Sequence, residues 1–361
     1  MNPSDEVPFA LSDGNTFSHR YKIGEVIGQG KSKVYDGIRL SDSLPVAIKI
    51  VFKTIRHNVV GYIPREVRML RQLSHVEGVI KLVDACYFSR MIIIVMEKIE
   101  FSIDLYSLLL KQYERTLPQS LTRTFFRQII ESLIQCRDAG VIHRDIKAEN
   151  ILVDLISFKI KIIDFGSAVP FQKQISGRAG TKEFWAPEMY SQLSYDSEAS
   201  AVWALGFLLH NMACGLFCVN AINNQKDVPI RFPKEIHEDD ECMDLICSLL
   251  KFRWEERPTM EEILHHPWMD LDSKRIFENI ELANDQITFV NQLPTSSEQL
   301  RKSSGNNEAA ITFQQNIQAE IFSDSVCHCF FSILGNSFNV LYIHFSCSKL
   351  FFLTAYLAII D

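Results

Sequence analysis

The sequence predicts an α+β fold in two lobes, a small, mostly antiparallel β lobe with one key helix and a larger, mainly helical lobe. Three observations predict it. Short apolar runs bounded by turn residues crowd the N-terminal part, at Tyr21 to Ile27, Val34 to Arg39, Pro45 to Ile50 and Met91 to Met96. A long helical stripe follows from Pro118 to Ala139, with Leu121, Phe125, Ile129, Ile130, Leu133 and Ile134 on one side. At 361 residues the chain has the length for two domains or one large two-lobed one.

Composition narrows the classes. With 47% hydrophobic and 22% charged residues, the chain has the balance of a soluble globular protein. A net charge of −7 argues against a nucleic-acid partner, which needs clustered Lys and Arg, and suits an acidic cleft that attracts basic peptides. Nine cysteines without a metal-binding CxxC pair predict reduced thiols serving as core fillers, hence a cytoplasmic or nuclear setting. The stretch from Met1 to Asn15 shows no apolar run of the signal-peptide kind.

In chain order, residues 1–20 read as a flexible N-terminal segment, and order is expected from Tyr21. The first two strands are joined by Gly28-Gln29-Gly30-Lys31-Ser32-Lys33, a hairpin whose backbone N–H groups could cover phosphates. Lys33 stands where a G-x-G-x-x-G loop has its third glycine, so it either adds charge beside the phosphates or hinders their approach. The next strand carries Val46-Ala47-Ile48-Lys49. A partly desolvated Lys49 needs an opposite charge, and Glu66 is the candidate, on a helix that opens near Pro64 and carries Met69, Leu70 and Leu73 at helical spacing. Met91 to Met96 is a buried strand that enters a hinge at 97–101, completing a small lobe over 21–97.

The large lobe, 102–269, opens with the long helix, stopped by Gly140. Then comes His143-Arg144-Asp145-Ile146-Lys147-Ala148-Glu149-Asn150, and after short strands at Ile151 to Val153 and Lys159 to Ile163, Asp164-Phe165-Gly166. Transfer of a phosphoryl group needs a carboxylate beside the attacking hydroxyl, hard oxygen ligands for Mg²⁺ and fixed positive charge on the phosphates. Asp145 can orient the hydroxyl, Lys147 can sit near the γ-phosphate, and Asn150 with Asp164 can hold the metal. The segment from Asp164 ends in Ala186-Pro187-Glu188, with Gly180-Thr181 before it. A buried Glu188 requires a cation, and a resemblance of these strings to protein kinases implies Arg257 as its partner. Ser200 to Cys214 reads as an apolar helix at the lobe centre, and His265-His266 as a helix end before Pro267 rather than a metal pair. Ser176 in the loop could be phosphorylated and meet Arg144.

From Tyr21 to Met269 the chain resembles a eukaryotic serine/threonine protein kinase, and within that class the Pim family of the CAMK-like group. The resemblance rests on the strings from Val34 to Lys49, from Gly140 to Asn150 and from Ala201 to Gly206, where alanine at 201 replaces the aspartate general to kinases. It implies the bilobal protein kinase fold, ATP and Mg²⁺ as cofactors, and protein substrates phosphorylated on Ser or Thr near Arg or Lys, with activity that does not await loop phosphorylation. Carried over, the catalytic set is Lys49, Glu66, Asp145, Lys147 and Thr181, and the metal ligands are Asn150 and Asp164. The nucleotide site is Ile27, Gly28, Gly30, Val34, Ala47, Lys49, Met96, Glu97, Ile99 and Leu152, and the readers of substrate arginine are Asp104 and Glu149. Ile99 replaces the hinge proline of the family, which returns a backbone N–H to the adenine. The acidic residues of the family after Gly215 are replaced by Leu216-Phe217-Cys218-Val219-Asn220, so selection for upstream basic residues should be weaker. A monomer is expected.

Residues 270–325 read as a polar linker. The stretch 326–361 is apolar, but His328, Asn336, Asn339, His344 and Lys349 interrupt it; a membrane anchor and a mispredicted exon are its two readings. The rivals to an active kinase are a pseudokinase scaffold, suggested by Lys33, and a membrane-tethered adaptor, suggested by the tail.

Overall fold

A computed structural model describes residues 17–30, 32–52, 64–88, 90–112, 116–215, 230, 232 and 240–269. The readings of residues 1–16, of the loop 216–220 and of the linker and tail beyond 269 lie outside the described residues.

The small lobe is one antiparallel sheet. Its strands are β1 (Tyr21–Gln29), β2 (Lys33–Arg39), β3 (Leu44–Phe52), β4 (Leu82–Tyr87) and β5 (Met91–Glu97), in the order β1-β2-β3-β5-β4. Register decides which residues share a face, because side chains alternate along a strand. Val34 lies opposite Lys49, and Ala47 lies between Asp36 and Met96, so Val34, Ala47, Lys49 and Met96 line the face toward the large lobe. The outer face buries Val46, Ile48, Ile93 and Val95.

Order reaches back before Tyr21. Phe17 is buried under the outer face, with its ring 5.2 Å from that of Tyr21 and 6.4 Å from that of Phe88, and Arg20 pairs with Asp84 at 2.6 Å. These partners are more than sixty positions away for Arg20, so no local pattern announces them. The helix α1 (Arg65–Gln72) starts one residue after Pro64, which stands just outside the first turn with extended ψ. Glu66, Val67, Met69 and Leu70 form its buried side.

The two lobes meet at more than the hinge. The turn after α1 pairs with the large lobe, with Ile162 donating to the Gly78 carbonyl (2.8 Å) and Ile80 to that of Ile162 (3.1 Å). The Gln72 amide also donates to the Ala139 carbonyl at 2.6 Å.

In the large lobe, β6 (Ser102–Asp104) leads into α2 (Leu105–Lys111) and then α3 (Gln119–Asp138), which sinks Leu121, Phe125, Phe126, Ile129 and Ile130 into the core. Gly140, at φ +81°, supplies the left-handed turn that ends α3. Next come β7 (Val141–Ile142), β8 (Ile151–Asp154), β9 (Ile160–Ile162), β10 (Val169–Pro170) and β11 (Gln174–Ser176). After α4 (Pro187–Ser191), β12 (Ser194–Asp196) pairs with β11 and runs straight into α5 (Ser197–Cys214). This helix begins three residues before the sequence suggests because the Asp196 side chain caps the N–H groups of Glu198 and Ala199. Burial of Trp203, Leu205, Phe207, Leu208, Leu209 and Met212 makes α5 the pillar of the lobe, with α6 (Asp240–Leu249) packed on it and α7 (Met260–Leu264) packed on α3.

Glu188 and Arg257 meet as expected. Both carboxylate oxygens accept from Arg257 at 2.8 Å, and the two side chains are 2% and 0% exposed. The guanidinium also donates to the Lys251 and Ala199 carbonyls and lies 4.9 Å from the Trp203 ring, so the buried pair is fully satisfied. Among the described residues the cysteines are free thiols. Burial pushes the Cys136 thiol up to about 12 and Cys86 up to about 11, which suits inert fillers. No described helix is long and apolar enough to cross a membrane.

Candidate active site

The cleft between the lobes gathers charge from segments far apart in sequence. Lys49, on β3, donates to both oxygens of Glu66 on α1 (2.7 and 2.9 Å) and to Asp164 Oδ1 (2.7 Å), across 115 positions. Burial alone would lower the Lys49 ammonium, but the Glu66 and Asp164 carboxylates outweigh it and hold its pKa above the ordinary value. Glu66 moves up because burial outweighs the ammonium, whereas Asp164 moves down because Lys49 outweighs its burial. Lys49 therefore stays a cation with a fixed position, and Asp164 stays ionised.

Asp164 sits in the left-handed region at φ 61°, and the Phe165 ring that follows is buried against His143, centroids 4.6 Å apart. His143 accepts from the Asp145 N–H at Nδ1 (3.2 Å), so its Nε2–H donates to the Ile163 carbonyl (2.9 Å). Complete burial lowers its pKa, and the ring stays neutral as a strut between the two loops. The sequence alone assigned His143 no role; its place beside the Asp145 loop was the only available signal.

Asp145 Oδ1 accepts from the Thr181 N–H (3.0 Å) and hydroxyl (2.9 Å), and the same hydroxyl accepts from Lys147 Nζ (2.9 Å). Gly180 makes this approach possible. At φ +81°, a Cβ there would fall 2.3 Å from the Arg144 carbonyl oxygen. The Asn150 amide NH₂ donates to the Asp145 carbonyl (2.8 Å), which turns its own oxygen outward as an acceptor. That oxygen and the part-exposed Asp164 carboxylate are hard donors of the kind that would hold Mg²⁺. The residues present therefore fit the metal.

Val34, Ala47 and Met96 share the inner sheet face with Lys49, and Leu152 on β8 is half-buried in the large lobe below. Ile27 is exposed on β1, and Gly28 pairs with Val34. The hinge carries a surprise. The Glu97 side chain accepts from the Lys81 N–H (2.9 Å) and pairs with Lys161 on β9 (3.1 Å), tying the hinge to the large lobe, while the backbone of Glu97 and Ile99 carries the groups that can meet a base. Asp104 lies opposite Leu152 and caps α2 by accepting from Ser107 N–H (2.8 Å), and Glu149 is exposed in the turn just before β8.

Register places Lys33 on a face of the sheet. It pairs with Gln29 and Ile50, on the sheet face opposite Lys49, and it is exposed. The phosphate-loop pattern of kinases places one residue between its third glycine and the valine, but here Val34 follows Lys33 directly, so the hairpin is one residue shorter. Lys33 thus stands on the sheet face opposite Lys49. Ser176 is exposed on β11, and Arg144 donates to the neighbouring Gly177 carbonyl.

The protein kinase domain family matches residues 21–269. The serine/threonine-protein kinase pim-2 of Danio rerio is 34% identical over 283 residues, covering 73% of this chain and 89% of its own length. The serine/threonine-protein kinase prk-2 of Caenorhabditis elegans is 33% identical over 267 residues, covering 70% and 59%. Testis-specific serine/threonine-protein kinase 3 of Mus musculus is 31% identical over 278 residues, covering 72% and 98%.

Proposed function

The chain belongs to the protein kinase family, on its serine/threonine side, and from that premise we propose that it is catalytically active, moving the γ-phosphate of ATP to Ser and Thr hydroxyls of proteins. The observation that carries the proposal is the position of Lys49 Nζ, 2.7 Å from both Glu66 and Asp164. A partly buried cation held by two carboxylates is prepared to meet phosphate oxygens without reorganisation.

Each remaining side chain then has a task. Asp145, with one oxygen committed to Thr181, points the carboxylate at the attacking hydroxyl and takes its proton. Lys147 places positive charge beside the group in transit and is itself steadied by Thr181. Asn150 and Asp164 would hold Mg²⁺, which neutralises charge on the phosphate oxygens when bound. The faces of Val34, Ala47, Met96 and Leu152 sandwich the base, and the Ile99 N–H is available to it. Asp104 and Glu149 flank the start of β8 and offer carboxylates to an arginine of the substrate, so a basic peptide context is favoured.

The test is transfer of labelled γ-phosphate by the full chain, with Mg²⁺, to peptides that differ in upstream arginines. Transfer should fall by orders of magnitude in Lys49→Met and Asp164→Asn, and Asp104→Asn should raise KM for the arginine peptide alone. If wild type and both variants transfer equally little, the protein is a scaffold instead. Arginine dependence undiminished at every upstream position would refute the weaker selection expected from 216–220.

A further inference from the structure

The side chain at the start of the hinge is held from both lobes. Glu97 Oε1 accepts from the Lys81 N–H (2.9 Å) and lies 3.1 Å from Lys161 Nζ, while the Glu97 N–H donates to the Lys81 carbonyl (2.9 Å). The Lys81 ammonium is spent elsewhere, on the Ser74 and Val76 carbonyls (2.8 and 2.7 Å). Lys161 is therefore the cation paired with Glu97 among the described residues. Further along the hinge, the Ile99 carbonyl accepts from the Ser102 hydroxyl (2.8 Å). Both hinge residues proposed to meet a base are thus held by groups outside the base site.

Register puts Lys161 beside the nucleotide floor. It lies opposite Leu152 across the antiparallel pair of β8 and β9, so the two side chains leave the same face. Only 17% of the Lys161 side chain is exposed. Its neighbour Ile162 is hydrogen-bonded to Gly78 and Ile80 of the turn that joins the lobes, which gives the ammonium a fixed base. The charge on Lys161 therefore draws Glu97 to a set height above Leu152. Methionine at 161 would keep an unbranched apolar stem and supply no charge, leaving the Glu97 side chain with the Lys81 N–H.

We propose that Lys161 is a positioning residue for base recognition, setting the hinge backbone against Leu152 through Glu97. It acts on the base end of the nucleotide, away from the phosphate end where Lys49 and Asp164 stand. This deepens the reading of the cleft as an ATP site and rests on it.

Calorimetric titration of the full chain with adenosine and with inorganic tripolyphosphate, without metal or peptide, separates the two ends. In Lys161→Met the Kd for adenosine should rise about three- to fivefold, the size expected of a part-exposed ion pair, with tripolyphosphate unchanged. Lys161→Arg should restore adenosine binding, and Lys159→Met, which removes an exposed lysine from the same stretch, should not alter it. Glu97→Gln should cost as much as Lys161→Met, and the double variant no more than either, because both remove one linkage. In steady-state transfer, Lys161→Met should raise KM for ATP by the same factor and leave kcat within about twofold. The same binding pattern in a chain that transfers no phosphate would support the inference while refuting the proposed activity. The inference is overturned if Lys161→Met binds adenosine as wild type does or loses tripolyphosphate equally, if Lys161→Arg recovers nothing, or if the Glu97 and Lys161 costs add.

Discussion

Replacing Thr181 with valine keeps the side-chain shape and the backbone N–H bond to Asp145, and removes only the hydroxyl. That hydroxyl makes two contacts with charged groups, to Asp145 Oδ1 and from Lys147 Nζ, each 2.9 Å. A hydrogen bond to a charged group contributes about 1.5 to 3 kcal/mol net. If one such contribution is felt only as charge moves in the transition state, kcat falls roughly 10- to 150-fold at about 1.4 kcal/mol per decade. KM for ATP and for peptide should stay within about twofold, since Thr181 is not placed against the nucleotide or the substrate arginine. Steady-state transfer by Thr181→Val and Thr181→Ser checks this, and the serine variant, which restores the hydroxyl, should recover most of the rate. An unchanged kcat in Thr181→Val, or a loss confined to KM, would refute the idea that this hydroxyl aligns Asp145 and Lys147.

Three further outcomes follow from the geometry. Arg257→Leu leaves Glu188 buried without its cation, at a cost of about 3 to 5 kcal/mol, and should lower the melting temperature by roughly 6 to 20 °C. His143 is neutral in the fold with its pKa lowered by burial, while its unfolded form charges below about 6.5. Between those values the unfolded chain binds more protons, so this contribution is intact above pH 6.5 and is lost as pH falls. Urea midpoints from pH 7.5 to 5.5 should therefore drop less steeply in a folded His143→Gln variant than in wild type. Lys33→Ala, on the sheet face opposite Lys49, should change KM for ATP by less than about twofold, and a large rise would contradict that register.

Much of the fold was legible because its signals are local. Alternation and β-branching marked the strands, and helical spacing over Leu121 to Leu133 marked α3. Boundaries moved where a partner sets them. β1 runs on to Gln29 because Lys33 pairs with it, and α5 starts at Ser197 because Asp196 caps it. The entry segment was missed altogether, since Phe17 is buried by Tyr21 and Phe88 and only the latter's distance in sequence conceals the contact.

The sequence by itself determined which chemistry is present: a lysine in a strand, an acid on the next helix, and the His143–Asn150 and Asp164–Gly166 strings with their oxygen ligands. Residue type and spacing within a few positions suffice for that, because each motif is held by its own neighbours. Tertiary structure alone decided where the charges meet and where they do not. Lys49 reaches Asp164 because the turn after α1 binds β9 and closes the lobes, and strand pairing sets Lys33 on the face opposite Lys49. Glu97 became a tie between hinge and large lobe. Such facts depend on register and on contacts made over a hundred residues, and a linear pattern carries neither.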